Sequence, residues 1–493
     1  MMKALRNICW TTLCVVALGV VPVQAQQQSQ NQQQSSDQAA APIPAYRSPL
    51  ASAADNGDSD SANDNSDQLA PDNRSLAGAQ NLSLGEPTTR SYWQPHFDLS
   101  ASADSNPLEA TNETSWGAWT SVSGGVDVHR ISGNSNMTLS YTSSGMLSSE
   151  SNVPNGIVQG LSFADKFSFR RAAISFFDQL NYLPESALGF GGLGGAAGNG
   201  PTGLGAGFAQ GQSLLVGRGQ NLGNSFVTQV DTYLTPRTSL TFVGGYSLLH
   251  YFDSDLFNYG DVSFRGGYNY EATRKDTIAV LYTFSGFRFS NADQSISTHT
   301  VQASYGRRVT GRLAFQIAAG PQVVFSRMPI TGGGGASGGG GDTGSTASSV
   351  TQVFWSLNTS LLWQAQRNMF GLTYSHGAGG GSGVLAGALT DVVTGSVTRQ
   401  VSRTFSSGIQ GGYTRNQGLT LGGTTPFNQK YDYWFAGGSL THPLGRTLGV
   451  TLTYQLQYQD SNAAFCIAAT CGTSVIRNVI SLGVGWHERP LLF

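Results

Sequence analysis

Histidine and serine are the residues of this sequence that could carry hydrolytic chemistry. The candidates are His250, His299, His376 and His487, and Ser375 stands beside His376. A hydrolase needs a Ser/His pair with an acid or an amide, or an Asp/His arrangement, within hydrogen-bonding distance. Adjacent residues of a strand point to opposite faces, so Ser375 and His376 are poorly placed to form such a pair. His250 and His299 fall on the apolar side of alternating segments, where packing explains them. No catalytic residue is therefore predicted.

The chain has four cysteines, and two of them, Cys466 and Cys471, lie close together near the C-terminus in a polar stretch of small residues. A small-loop disulfide, two free thiols and a metal site are the alternatives. No His or further Cys lies nearby to complete a zinc ligand set. An oxidising compartment would let the two thiols form a disulfide. We therefore expect a Cys466–Cys471 disulfide, with no metal site and no cofactor.

Residues 1–25 have the pattern of a cleavable export signal. Lys3 and Arg6 give a positive start, Ile8–Val21 form an apolar run, and Val23–Ala25 form a small-x-small cleavage site. The alternative is a membrane anchor, but the apolar run is short for a membrane span. We expect an exported chain that loses these residues.

Residues 26–90 form a low-complexity segment that follows the signal. A Gln/Ser run over Gln26–Ser36 is followed by a segment rich in Ala, Pro, Asp and Asn. Such a composition cannot bury enough apolar surface to fold. We predict a disordered linker here and a separate folded unit over residues 91–493.

The composition excludes several classes of protein. Charged residues make up 11% of the chain and hydrophobic residues 39%, whereas a soluble domain usually carries about 25% charge. A helical membrane protein would show apolar runs of about 20 residues, and none follows the N-terminus. Residues 91–493 contain 21 acidic and 22 basic residues. This near-neutral balance argues against nucleic acid as a partner.

Strict alternation of apolar and polar residues marks the strands. In Thr447–Tyr458 the apolar side chains share one face, and Thr, Gly and Gln share the other. The same period of two runs through Asp261–Glu271, Val353–Gln364 and the C-terminal segment from Ile480 to His487. A period of two with one apolar face is typical of a β-strand that lies between two different environments.

The connections alternate in length as regularly as the faces do. Eight are tight and contain arginine, at residues 129–134, 169–172, 235–238, 273–276, 309–312, 366–368, 402–404 and 443–446. Nine are long, at about 104–114, 145–156, 184–222, 253–259, 290–296, 327–350, 378–388, 417–430 and 460–474. Alternating short turns and long loops are typical of an up-and-down transmembrane barrel. We predict an all-β antiparallel barrel of about 18 strands, or 16 if 92–103 and 157–168 are not strands.

A soluble all-β protein is the main alternative to a transmembrane barrel. A propeller would repeat every 40–50 residues, and only the style of the turns repeats here. The polar faces carry Ser, Thr, Gln, Asn and Gly with few Lys or Glu, which suits a wet lumen better than a bulk-exposed surface. Aromatic residues near strand ends are expected to form interfacial girdles; they include Tyr251, Phe252, Phe287, Phe289 and Tyr458.

The polar faces also supply candidate residues for the lining of a pore. These are Asp127, Asp231, Arg265, Glu271, Gln455 and Gln457. One interpretation is a mild electrostatic filter with weak ion selectivity, because both signs of charge are present. The other is salt bridging between strands that stiffens the wall. The glycine-rich segment 184–222 is long enough to fold into the mouth as a constriction.

Residues 91–493 resemble the bacterial outer-membrane porin-like barrels. The likeness is architectural and rests on the export signal, the alternating strands and connections, and the terminal Phe493. Asp178–Glu185 and Ser304–Leu313 are also similar to segments of uncharacterised barrel proteins of acidobacterial type. No porin eyelet motif, TonB box or plug domain can be matched, so the resemblance assigns no solute.

One departure from the porin-like pattern lies at the C-terminus. The barrel assembly signal of that class resembles an uninterrupted last strand that ends in an aromatic residue. Here Pro490 interrupts the strand. We therefore expect Trp486 to be the anchoring aromatic residue and residues 488–493 to be a short tail.

The resemblance implies a protein of the bacterial outer membrane, surrounded by its lipid, with both termini and the linker in the periplasm. The function it implies is a channel for passive diffusion of small polar solutes or ions. A structural or polysaccharide-exporting barrel is the alternative, and an outer-membrane enzyme is the weakest of the three. The resemblance leaves homo-oligomerisation open.

The cysteine pair gives the first test. Peptide mapping by mass spectrometry under non-reducing conditions should find Cys466 and Cys471 in one disulfide-linked product, because an oxidising compartment favours closure of this small loop. Recovery of both residues as free thiols would contradict the expectation.

Overall fold

The described part of the chain is built from strands alone. The computed structural model describes residues 91–106, 116–149, 155–183, 220–252, 258–290, 294–329, 347–365, 367–379, 385, 387–402, 404–419, 429–445, 447–462 and 474–492. No helix in these ranges is long and apolar enough to cross a membrane. The strands are β1 Tyr92–Asp104, β2 Gly117–Ser132, β3 Ser135–Ser148, β4 Gly156–Ser168, β5 Ala172–Leu183, β6 Asn221–Thr235, β7 Thr238–Tyr251, β8 Tyr259–Glu271, β9 Asp276–Phe289, β10 Gln294–Thr310, β11 Leu313–Pro329, β12 Ala347–Gln364, β13 Asn368–Gly379, β14 Ala388–Gln400, β15 Ser406–Gly418, β16 Lys430–Pro443, β17 Leu448–Ser461, β18 Ser474–His487 and β19 Leu491–Leu492.

The eighteen long strands close into a single antiparallel barrel. Each strand pairs with the next one along the chain, and β1 pairs with β18 to complete the ring. The predicted transmembrane architecture and the count of 18 are confirmed. The uncertain segments 92–103 and 157–168 lie in β1 and β4, which excludes the count of 16.

Short and long connections lie at opposite rims of the barrel. The rim that holds the eight short connections, the short-turn rim, also holds the start of β1 and the end of β18. The other rim, the long-connection rim, holds the strand ends that the nine longer segments join. The described residues do not include residues 1–90, residues 184–219, Cys466 or Cys471. The export signal, the disordered linker, the constriction at the mouth and the disulfide therefore stay predictions.

The two faces of the wall differ as the alternation predicts. In β17, Leu452 and Tyr454 on the outer face are exposed, while Gln457 and Gln459 on the inner face are buried. Outward-facing aliphatic and aromatic residues are exposed in the same way on strands all round the barrel. Exposed apolar side chains over a closed wall form a belt suited to contact with lipid.

The expected aromatic girdle is only partly right. Phe252 is exposed and Tyr458 lies on the outer face. Tyr251, Phe287 and Phe289 instead fall on the inner face of the wall, and Tyr251 and Phe289 are buried there. Each lies near the long-connection rim, where Phe287 and Phe289 pack in one apolar cluster with Ile296 and Val324 inside the barrel.

Closure of the ring depends on β1, β18 and the residues after Pro490. The ladder between β1 and β18 runs from Asp104 opposite Val479 to His96 opposite His487. Trp486 lies on the outer face of β18, and Leu491 and Leu492 then pair with Trp93 and Tyr92. The expectation of a plain tail after residue 488 is therefore wrong, because the chain rejoins the sheet beyond the proline.

One glycine permits a close approach between two strands. Pairing between β10 and β11 is interrupted between Thr300 opposite Gln322 and Ala303 opposite Ala319. Gly320 lies in that gap, and a Cβ at this position would overlap the carbonyl of Val301. A larger residue must therefore push the two strands apart.

Gly320→Ala should lower the free energy of unfolding by about 1–3 kcal/mol, the usual cost of overpacking. Gly244→Ala is the matched control, because the space around the outward-facing Gly244 is open, and it should change stability by less than about 0.5 kcal/mol. Urea unfolding in detergent micelles, followed by tryptophan fluorescence, measures both. Equal effects of the two substitutions would contradict the assigned register.

Candidate functional site in the barrel lumen

All six residues predicted to line a pore lie on the inner face of the wall. In their strands they alternate with the exposed apolar residues of the outer face. The six are Asp127 in β2, Asp231 in β6, Arg265 and Glu271 in β8, and Gln455 and Gln457 in β17. Arg265, Glu271 and Gln457 are buried, while the others are partly exposed. Whether these residues contact a passing solute stays a prediction.

Asp231 is held by neighbouring side chains of the wall. The Thr241 hydroxyl donates to one carboxylate oxygen at 2.5 Å, and the Gln229 amide donates to the other at 2.7 Å. Asn269 donates in turn to the Thr241 oxygen at 3.2 Å. On the same wall Arg265 donates through Nε to Thr283 at 3.0 Å. These bonds join β6 to β9, which favours the wall-stiffening interpretation for this group.

Asp127 belongs to a cluster that the sequence pattern does not reveal. Its carboxylate lies 3.3 Å from Nδ1 of His96 in β1 and accepts a hydrogen bond from Ser140 in β3 at 2.5 Å. Nε2 of His96 lies 3.2 Å from the Thr142 hydroxyl. Gly125 leaves the space for the imidazole, because a Cβ there would overlap the ring. About a third of the Asp127 side chain is exposed (34%), on the inner face of the wall.

The order hydroxyl, imidazole, carboxylate in this cluster resembles that of a nucleophile, a base and an acid. Acyl transfer also needs free N–H donors for the developing oxyanion. His96, Asp127 and Thr142 all lie within paired strands, where backbone N–H groups are bonded to neighbouring carbonyls. The cluster is therefore better suited to shape and polarise the wall than to catalyse a reaction.

A buried ion pair fastens the closing strands at the long-connection rim. Arg477 of β18 contacts Asp104 of β1 through Nε at 2.8 Å and a terminal nitrogen at 2.6 Å. Both side chains are fully buried. Nearby, the Asn106 amide donates to the Ile476 carbonyl at 3.1 Å. Because 373 residues separate Arg477 from Asp104, sequence spacing gave no signal for the pair.

The wall turns inward between β12 and β13. Their ladder ends at Leu357 opposite His376, although β12 continues to Ala347 and β13 to Gly379. The side chain of Gln322 in β11 reaches the backbone of Ala378, donating to its carbonyl at 2.9 Å and accepting from its N–H at 2.8 Å. These two bonds hold the end of β13 on the lumen side of the wall.

An apolar cluster fills the space between this inward-turned end and the inner face of β9–β11. We call it the mouth cluster, and its buried members are Phe289, Ile296, Val324, Ala378 and Leu419. Gly387 fits against it with a positive φ of 94°, and a Cβ there would overlap Ile296. Contact between β9–β11 and the ends of β13 and β15 narrows the lumen at the long-connection rim.

A second approach of the walls involves two tyrosines. Tyr251 at the end of β7 and Tyr431 at the start of β16 are both buried and lie close enough to interact electrostatically. In an even ring of eighteen strands, β7 and β16 would be on opposite sides. The side chains of these two tyrosines therefore approach each other across the lumen at this rim.

Within the described residues, the histidines considered for catalysis form no hydrogen bond with a serine side chain. His376 lies on the outer face, where it bonds Asp391 at 2.7 Å and stacks on Trp355 at a centroid distance of 3.8 Å. Ser375 points to the inner face, as the alternation predicts. His299 bonds the Tyr282 hydroxyl at 2.8 Å on the outer face. The His376–Asp391 pair was not expected, because its partners lie on different strands.

Comparison with known proteins finds solved structures with a weak likeness to this chain. No protein-family model matches the chain, and no curated protein matches it. Among solved structures, OccK2 (OpdF) from Pseudomonas aeruginosa with glucuronate aligns with 81% of this chain and 98% of its own, at 9% identity and a TM-score of 0.39. OpdQ from the same organism aligns with 81% of this chain and 98% of its own, at 9% identity and a TM-score of 0.39. OccAB3 from Acinetobacter baumannii aligns with 80% of this chain and 99% of its own, at 9% identity and a TM-score of 0.35.

At these identities and TM-scores, the likenesses indicate neither a solute nor a mechanism for this chain. The neighbours come from Pseudomonas and Acinetobacter, and no comparison supports the acidobacterial likeness expected from Asp178–Glu185 and Ser304–Leu313.

The ion pair at the closing strands gives a prediction about stability. Arg477→Ala should lower the free energy of unfolding by about 3–5 kcal/mol, because it leaves the buried Asp104 carboxylate without its cationic partner. Replacing both Asp104 and Arg477 by alanine should cost less than the sum of the two single substitutions. Urea unfolding of the four proteins in a double-mutant cycle measures this coupling. Additive effects would contradict an ion pair at this place.

Proposed function

We propose that this protein is a channel of the bacterial outer membrane through which small polar solutes diffuse passively. One observation carries the proposal. The closed wall of eighteen strands has hydroxyl and amide side chains on its inner face and an exposed apolar belt on its outer face. A barrel of this size encloses enough space for an aqueous path.

The inner face is suited to neutral solutes. Its buried and half-buried residues are mostly Ser, Thr, Asn and Gln, and several of its charged groups are engaged in the wall. Hydroxyls and amides exchange hydrogen bonds with water or sugars without holding either strongly, which permits entry and release. The mouth cluster then sets the width of the path at the long-connection rim.

The proposal includes an orientation. Short turns face the periplasm and long loops face outward in bacterial barrels. The short-turn rim, with the start of β1 and the end of β18, would then lie in the periplasm together with the linker of residues 26–90.

Reconstitution tests the proposal directly. Refolded protein in planar bilayers should give discrete conductance steps, and liposomes containing it should swell in sugars up to a size limit. Empty liposomes and heat-unfolded protein are the controls. Folded protein that neither conducts nor permits swelling would overturn the proposal.

The mouth cluster gives a prediction about conductance. Ile296→Ala combined with Val324→Ala should raise the single-channel conductance and the size limit, because it removes buried side chains from the narrowed mouth. Val280→Ala with Val301→Ala is the matched control on the exposed outer face. Bilayer recordings compare the two. Equal conductance in both variants would place the limiting constriction elsewhere.

A further inference from the structure

Charge is distributed unevenly along the barrel axis. We define the turn segments as the eight short connections with four strand residues on either side of each. They contain 14 of the 22 basic residues of the barrel region but three of its 21 acidic residues. The rest of residues 91–493 therefore has 8 basic and 18 acidic residues. The short-turn rim is strongly positive, although the barrel as a whole is near neutral.

Most of the described cations of this rim are exposed. Arg170, Arg171, Arg237, Arg274 and Arg312 are all exposed and make no ion pair with a described residue. Among the described residues of the turn segments, Arg307 forms an ion pair with Asp276, at 3.6 Å. Positive charge is thus available to an external partner rather than neutralised within the fold.

Exposed apolar side chains accompany these cations around the rim. Each turn segment contains at least one large exposed apolar residue; examples are Phe169, Leu234, Val309, Trp363 and Leu444. An arginine can lay its aliphatic stem along such a surface while its guanidinium reaches the polar layer. The apolar belt lies next to the cationic edge of the barrel, just as the hydrocarbon of a lipid leaflet lies next to its headgroups.

We propose that the short-turn rim binds the headgroups of anionic phospholipids in the adjacent leaflet. Guanidinium groups match phosphate oxygens with paired hydrogen bonds. A soluble anion would bind the cations without any favourable contact with the apolar residues beside them. Basic residues on all eight turn segments fit a continuous leaflet better than a single discrete ligand. The interaction does not depend on solute passage through the lumen.

Spin-labelled lipids in proteoliposomes test this surface. Phosphatidylglycerol and phosphatidylcholine, each labelled on an acyl chain, report how strongly each lipid associates with the barrel. The wild-type protein should prefer phosphatidylglycerol, with a fully engaged arginine contributing up to about fivefold. High salt should reduce the preference, because ions screen exposed charges.

Two triple variants locate the effect. Arg170→Gln, Arg171→Gln and Arg237→Gln on two neighbouring turns should at least halve the preference for phosphatidylglycerol. The matched control neutralises the same number of exposed charges at the long-connection rim; it combines Arg288→Gln, Arg327→Gln and Arg415→Gln and should leave the preference unchanged. If the first variant fails to fold, the salt dependence of the wild type decides. Equal association of both lipids with the wild type, or equal loss in both variants, would overturn the proposal.

Discussion

The need to satisfy every backbone hydrogen bond within a bilayer governs this structure. Hydrocarbon offers no partner to an N–H or C=O group, so an open sheet edge in the membrane is costly and a strand wall must close on itself. Here closure is made by the ladder between β1 and β18, which are almost 400 residues apart in sequence. The buried contact of Arg477 with Asp104 fastens that joint at one end, and the pairing of Leu491 and Leu492 with β1 extends it at the other.

Closure imposes two environments on every strand, and the properties of the molecule follow from this division. Side chains outside must suit lipid, and side chains inside must suit one another or water, so the period of two becomes a chemical difference between faces. At the long-connection rim some inner-face residues are apolar, because the ends of β13 and β15 approach β9–β11 inside the barrel. Apolar residues there are buried by contact between walls rather than by lipid. The described part of the narrowed mouth is therefore built from the wall itself.

Local pattern was enough to predict the strands, their faces and their number from the sequence, because each of these features repeats over a few neighbouring residues. It placed Asp127, Asp231 and Arg265 on the inner face for the same reason. It could not find the His96–Asp127–Thr142 cluster, which depends on the register of three strands. It misassigned Tyr251 and Phe289, since an aromatic residue near a strand end suits both a lipid girdle and an internal contact. The inward turn between β12 and β13 depends on Gln322 meeting Ala378, 56 residues away.

One wall separates lipid from an aqueous lumen, and nitroxide scanning along β17 measures this separation at each residue. A single spin label is placed at successive positions from Leu448 to Gln457 of the reconstituted barrel. Its collision rates with oxygen, which concentrates in lipid, and with a water-soluble nickel chelate are then measured. We predict alternation with a period of two, with oxygen favoured at Leu448, Val450 and Leu452 and the chelate favoured at Thr451, Thr453 and Gln455. Equal accessibility of the two faces to both reagents, or the opposite phase, would contradict it.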